Sequence, residues 1–205
     1  APQRGPARRA ASGPRQCSEA AAPGASSPSW TPNGLSILYQ QREGSRLRLV
    51  SYDVEASRRR DVIALDGARI EKLLASAAVP GQVLVAVRLS ETAETDVYRL
   101  DLESGRFALD TRNPGGGSGG DFFADSRLRV RAASRLTMDG GTELLVRDPP
   151  GASWRGWLRA DPSHSLRIEA FARGDRALLL RSDLASETAS LVERRISDGR
   201  ERMVA

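Results

Sequence analysis

From Trp30 onward the chain is cut into short apolar runs separated by Asp, Gly, Asn and Pro. The runs are LSILYQ (35–40), LRLVSYDV (47–54), QVLVAVRL (82–89), DVYRLDL (96–102), RLRVRAA (127–133), TELLVRD (142–148), RALLLRS (176–182) and ASLVERRIS (189–197). Several alternate apolar with charged residues, as in Leu47-Arg48-Leu49 and Val97-Tyr98-Arg99-Leu100-Asp101-Leu102. Successive side chains of a strand leave on opposite faces, so a period of two marks strands with one face in a core. One window, GARIEKLLASAA (67–78), is spaced like a helix, but it is short. The expected fold class is all-β.

The runs also come in pairs that recur. An apolar strand is followed by a turn and by a second strand that ends in an acidic residue. Asp53, Asp101, Asp148 and Asp198 take this closing position at spacings of 48, 47 and 50, each before a turn of small or Gly residues suited to reversing a hairpin. A period of 40 to 50 residues with several strands per unit is the mark of a β-propeller blade. A β-sandwich also spaces its strands regularly, but without a repeating hairpin unit. The reading is a partial or small β-propeller of about four blades of antiparallel strands, with approximate repeats 29–76, 77–121, 122–170 and 171–205. Residues 1–28 hold no large apolar side chain. They are expected to form a disordered tail, because they cannot bury enough surface to offset their ordering entropy.

The segment SWTPNGLSILY (29–39) resembles the blade motif of TolB-type propellers and of the propeller domains of the prolyl oligopeptidase family of serine peptidases. Its Pro-Asn-Gly turn sets up the hairpin, and Trp30, Ile37 and Tyr39 are expected to pack between blades. DVYRLDLESGRFALDTRNPG and the stretch DFFADSRLRVRAASRLTMDGGTELLVRD, within 96–148, resemble middle blades of bacterial acyl-aminoacyl and dipeptidyl peptidase-like members. In that family the propeller gates peptide access to an α/β-hydrolase domain carrying Ser, Asp and His. The resemblance covers residues 29–205 and includes no catalytic domain. It implies a non-catalytic gating module, a fragment or a separately encoded part, whose partner is such a hydrolase domain. The alternative is a free-standing TolB-like propeller that binds a protein or peptide. An unclosed arc would leave edge strands at Trp30 and near Val204, where self-association is expected.

Charge does little to alter this. The net charge is +5, but Arg4, Arg8, Arg9 and Arg15 against Glu19 place +3 of it in residues 1–29. The rest mixes Arg with Asp and Glu, unlike the clustered basic stripe that displaces counterions from nucleic acid, so no nucleic-acid partner is expected. No apolar run approaches the ~18 residues of a membrane helix, and no membrane partner is expected. Cys17 is the single cysteine. It permits neither an internal disulfide nor a cysteine-based metal site, and it fits a reducing, cytoplasmic location.

Candidate chemistry is sparse. The run Gly115–Gly120 satisfies both G-x-S-x-G, with Ser118 as nucleophile, and the dinucleotide pattern G-x-G-x-x-G. The first needs a strained strand-to-helix elbow, which polyglycine does not hold. The second needs a helix N-terminus after it. His164, the single histidine, stands in a loop without a second imidazole. The pairs Asp96/Asp101 and Glu187/Glu193 lie where solvated carboxylates are common, Trp154 and Trp157 are expected between blades, and Arg58-Arg59-Arg60 is read as a solvated turn. No catalytic, cofactor-binding or metal-binding residue is assigned, and no cofactor is expected.

Overall fold

The computed structural model describes residues 25–115, 120–172, 174–185 and 188–204. Sixteen strands form four separate sheets, each a four-stranded antiparallel meander in chain order. Blade 1 comprises β1 (Ala25–Trp30), β2 (Ser36–Glu43), β3 (Arg46–Asp53) and β4 (Arg58–Asp66). Blade 2 comprises β5 (Arg69–Ala75), β6 (Gln82–Arg88), β7 (Thr95–Asp101) and β8 (Phe107–Thr111). Blade 3 follows with β9 (Phe122–Ala124), β10 (Val130–Leu136), β11 (Thr142–Val146) and β12 (Arg155–Ala160). Blade 4 is β13 (Leu166–Phe171), β14 (Ala177–Ser182), β15 (Ser190–Arg195) and β16 (Glu201–Met203). This is the all-β, four-bladed arrangement that the repeats predict.

Three apolar clusters stack the blades. Leu38, Leu47 and Leu49 of blade 1 meet Ile70, Val83, Val85 and Val87 of blade 2. Leu84, Ala86 and Val97, on the other face of blade 2, meet Phe122, Val130, Ala133 and Leu145 of blade 3. Ala132, Leu144 and Val146 then meet Leu166, Ile168, Leu178 and Leu180 of blade 4. The middle blades are thus apolar on both faces, which is why β6 reads QVLVAVR with five consecutive buried residues rather than as an alternation. Among the described residues no such cluster joins blade 4 to blade 1. Each end blade keeps a face turned away from its neighbour.

Arginines cross the blade junctions. Arg60 donates to the carbonyls of Leu102 and Glu103. Arg99 reaches the carbonyl of Leu128, and Arg155 that of Ile196. Arg147 donates to the carbonyl of Val130 in its own sheet and to Thr111 Oγ1 of blade 2. These carbonyls lie beyond the ladders of their own sheets or at their ends, where a backbone acceptor would otherwise lack a partner.

Several expectations change. The helical window 67–78 is instead strand β5. Leu73 packs into the junction of blades 1 and 2 and Leu74 into that of blades 2 and 3, so an apolar doublet that mimics helical spacing serves two opposite faces, with a register shift between Ile70 and Lys72. Strands β5 and β13, near the ends of repeats 29–76 and 122–170, hydrogen-bond instead as the first strands of blades 2 and 4. The hairpin motif that sets the sequence period lies inside each blade and not at its start. The tail expected over 1–28 gives way to strand β1 from Ala25, and residues 1–24 lie outside the described residues.

The closing acidic position is also displaced in blade 4. Asp101 N–H bonds the carbonyl of Arg106 and Gly105 N–H that of Asp101; in blade 4 the same pair of bonds is made by Arg195 with Arg200 and by Gly199 with Arg195. Arg195, and not Asp198, is therefore the counterpart of Asp101. Fourth after Asp53, Asp101 and Arg195 stand Ser57, Gly105 and Gly199, all at positive φ (50°, 74° and 70°).

Candidate functional site

The run that matches two catalytic patterns is only partly described. Ser118, with residues 116, 117 and 119, lies outside the described residues. Gly120 has a packing reason: a Cβ there would stand 2.1 Å from the carbonyl oxygen of Ser134. Beside it, Asp121 and Ser134 are joined by Ser134 N–H to the Asp121 carbonyl at 2.9 Å. This glycine lets the chain enter β9 against β10.

His164 does have a serine and an aspartate beside it. In the turn Asp161-Pro162-Ser163-His164, Nδ1 of His164 lies 3.0 Å from Asp161 Oδ1 and 3.2 Å from Ser163 Oγ, and that hydroxyl also donates to Asp161 Oδ1 at 2.6 Å. A catalytic imidazole bridges its partners, with the carboxylate on Nδ1 and the nucleophile on Nε2. Here both contacts fall on Nδ1, so the ring cannot relay a proton from serine while the carboxylate holds its other side. The group is a carboxylate-capped turn on the surface. Hydrogen bonds from Ser163 and then His164 hold the Asp161 carboxyl down at about 2. The same carboxylate raises the His164 imidazole above its ordinary value.

The other candidates are structural. Asp96 accepts the N–H of Asn113 at 2.7 Å. Asp101 caps its turn by accepting from Ser104 N–H and Oγ, which lowers its carboxyl. Glu193 pairs with Arg202 at 2.7 Å, and Glu187 lies outside the described residues. Trp154 packs into the blade 2–3 cluster beneath the Arg147 guanidinium, 4.7 Å from its ring centre. Trp157 packs into the blade 3–4 cluster beside Arg194. Both tryptophans are thus between blades. Arg58, Arg59 and Arg60 are exposed, as read, but stand in β4 and not in a turn; Arg60 also donates to blade 2, and Arg59 pairs with Asp61 at 3.4 Å. Trp30, Ile37 and Tyr39 share a face of blade 1 by register. It is the face opposite Leu38 and Leu49, and among the described residues none of the apolar clusters between blades includes these three, although Val50 on the same face is fully buried.

The first strands of blades 2 to 4 line a cavity of about 450 Å³. Its lining includes Phe123, Leu166 and Ile168, the cations Lys72, Arg167 and Arg181, and the carboxylates of Asp121 and Glu169. Lys72 lies over the Phe123 ring at 4.2 Å and 3.5 Å from Asp121. Arg181 pairs with Glu169 at 3.2 Å. With each carboxylate paired to one of these cations, the cavity is a polar cleft of mixed charge over a small apolar patch.

A wider cavity of about 1110 Å³ opens where blades 3 and 4 meet. It rests on a charge network that sequence reasoning did not detect. Asp125, 2% exposed, accepts from the backbone N–H groups of Arg127 and Arg129 and from Arg129 Nε at 2.8 Å. Burial alone would raise this carboxyl, but the hydrogen bonds and charge of Arg129 outweigh it and hold it below the ordinary value. Arg131, also buried, reaches Asp148 Oδ1 at 2.9 Å and the carbonyl of Asp175 in blade 4. No sequence spacing marks this set, since its members come from turns of two blades. Among the described residues no group of three or more His, Cys, Asp or Glu is placed to hold a metal ion.

No protein-family model matches the chain. Over 124 residues, 60% of its length, it is 26% identical to dipeptidyl aminopeptidase BIII of Pseudoxanthomonas mexicana, of which it spans 18%. In fold it is similar to TolB from Acinetobacter baumannii, with a TM-score of 0.61 and 15% identity, over 88% of this chain and 43% of that one. It is also similar to a prolyl endopeptidase, with a TM-score of 0.60 and 14% identity, over 89% of this chain and 29% of that one. In its sheets and their stacking, the chain is a β-propeller module that resembles the propeller domains of prolyl oligopeptidase family peptidases and TolB.

Proposed function

We propose that this chain is a non-catalytic propeller module that gates substrate access to an α/β-hydrolase domain of the prolyl oligopeptidase type. The observation that carries the reading is the 124-residue similarity to a dipeptidyl aminopeptidase. Two structural features support it. The one Ser–His–Asp grouping among the described residues has its contacts on a single ring nitrogen. The cavity on the first strands offers an extended chain a cleft lined by Phe123, cations and carboxylates. On this reading the module acts by shape, admitting peptides to a site on another domain.

A free-standing propeller that binds a protein or peptide is the second reading, favoured by the comparable likeness to TolB. The two are separated by translating the DNA that follows the Ala205 codon in all frames. A strand, G-x-S-x-G and helix followed by Asp and His supports the gating module. An unrelated gene or a promoter at that place overturns it in favour of the free module.

A further inference from the structure

The turns that join the first and second strands of blades 3 and 4 are built alike and tied together. Leu128 N–H bonds the carbonyl of Asp125 in one, and Asp175 N–H that of Ala172 in the other. Across the junction, the backbone N–H and the hydroxyl of Ser126 both donate to the Asp175 carboxylate. The residue after each of these two contacts is an arginine, Arg127 in blade 3 and Arg176 in blade 4. Both are exposed, and both line the cavity of about 1110 Å³ between the blades. Among the described residues neither side chain makes an ion pair or a hydrogen bond.

The cavity is not purely cationic. Three carboxylates line it beside five arginines, but each carboxylate already has a partner. Asp148 accepts from Arg131 at 2.9 Å, Glu193 from Arg202 at 2.7 Å and Asp175 from Ser126, while Asp125 beneath takes Arg129. Arg131 is 5% exposed, and its terminal nitrogens go to Asp148 and to the Asp175 carbonyl. Its Nε has no hydrogen-bond partner. Arg88 and Arg194 also carry such a nitrogen, but neither lines this cavity or the one on the first strands. A buried donor left over in this way is accounted for by an ordered water or ion.

We propose that this cavity binds an oxyanion group, a phosphate or a carboxylate, between Arg127 and Arg176. The guanidinium is a planar fork of donors that matches two oxygens of either group. The two arginines with unspent donors stand on turns that the Ser126–Asp175 contact fixes to each other, so little ordering is needed on binding. Walls of low dielectric strengthen the field of charges set in a cleft. A metal cation is the poorer occupant, since no group of three or more His, Cys, Asp or Glu among the described residues is placed to hold one. The site needs no hydrolase domain, and the proposal does not rest on the gating reading.

The test is an amide NMR titration of the protein with sodium phosphate and, separately, with sodium glutarate, at an ionic strength held constant with sodium chloride. The expected result is saturable shifts confined to residues 125–131 and 174–177 in at least one arm, and the arm with the lower dissociation constant names the group. Arg127→Gln and Arg176→Gln should each raise that constant about tenfold, as the loss of one charge-assisted hydrogen bond implies. Both side chains are exposed and unpaired, so the spectrum outside the cavity should not change. Arg46→Gln, which removes the same charge from an exposed position on blade 1, should leave the constant as it is. Shifts that stay linear in both arms, or that spread over the exposed arginines of all four blades, overturn the proposal. So does an effect of Arg46→Gln equal to those of the two cavity variants, which reduces the binding to net charge.

Discussion

Replacing Asp125 with alanine probes the junction of blades 3 and 4 at its least obvious point. The carboxylate is 2% exposed and accepts from two backbone N–H groups at 3.0 Å and from Arg129 Nε at 2.8 Å. Removing it leaves both N–H groups of the β9–β10 turn without that acceptor, at roughly 1–3 kcal/mol each when water cannot replace it. The Arg129 side chain is 41% exposed, so water recovers most of its share. Relief of the buried carboxylate's own desolvation offsets part of the loss. The net expectation is about 3 kcal/mol, at the low end of what losing one member of a buried pair costs. Asp125→Asn keeps an acceptor oxygen for the N–H groups and should cost about 1–2 kcal/mol, the charge-assisted part alone. Urea unfolding followed by tryptophan fluorescence reads both. The wild-type carboxyl is held below its ordinary value. Its contribution is therefore complete above the unfolded-state pKa and fades as pH falls through the folded one, so the gap to Asp125→Ala should narrow in acid. A loss below about 1 kcal/mol at neutral pH, or a gap that widens in acid, would refute this account of the turn.

Leu144, fully buried between blades 3 and 4, should cost about 2–5 kcal/mol as alanine in the same urea assay. Ser57 and Gly105 occupy one turn position at φ 50° and 74°. Ser57→Gly should raise the midpoint slightly, by up to about 1 kcal/mol of relieved strain, whereas Gly105→Ala should lower it, since its Cβ would stand 2.9 Å from the carbonyl oxygen of Val62. By NMR titration the Asp161 carboxyl should titrate near pH 2, as its hydrogen bonds set it at about 2, and His164 above its ordinary value. Asp161→Asn should return His164 toward that value. The pair's stabilising effect, which salt should weaken, lies between these limits: lost on the acid side as Asp161 protonates, and on the basic side as His164 deprotonates through its raised pKa.

The blades were legible because a half-buried strand writes its period into the sequence, and the repeat of Asp53 and Asp101 before a reversing turn is local. Strand β5 was not, since Leu73 and Leu74 serve different neighbours and only the stacked blades show it. The counterpart of Asp101 in blade 4 was misplaced for a similar reason. Asp198 and Arg195 both fall near the expected spacing, and only the backbone bonds at Arg195 decide between them. The arginines at the junctions were invisible as well. Arg60 and Arg155 reach carbonyls 42 and 41 residues away, and nothing in their flanking sequence distinguishes them from solvated arginines. Asp125 reads as one more turn aspartate until its burial is known.

The account rests most heavily on the absence of a working nucleophile in this chain. The direct measurement is to treat the purified chain with a serine-reactive fluorophosphonate, while assaying chromogenic dipeptidyl and acyl-aminoacyl substrates in parallel. The account predicts neither labelling nor turnover. Stoichiometric labelling of Ser118 or Ser163, together with hydrolysis abolished by the matching Ser→Ala variant, would contradict it.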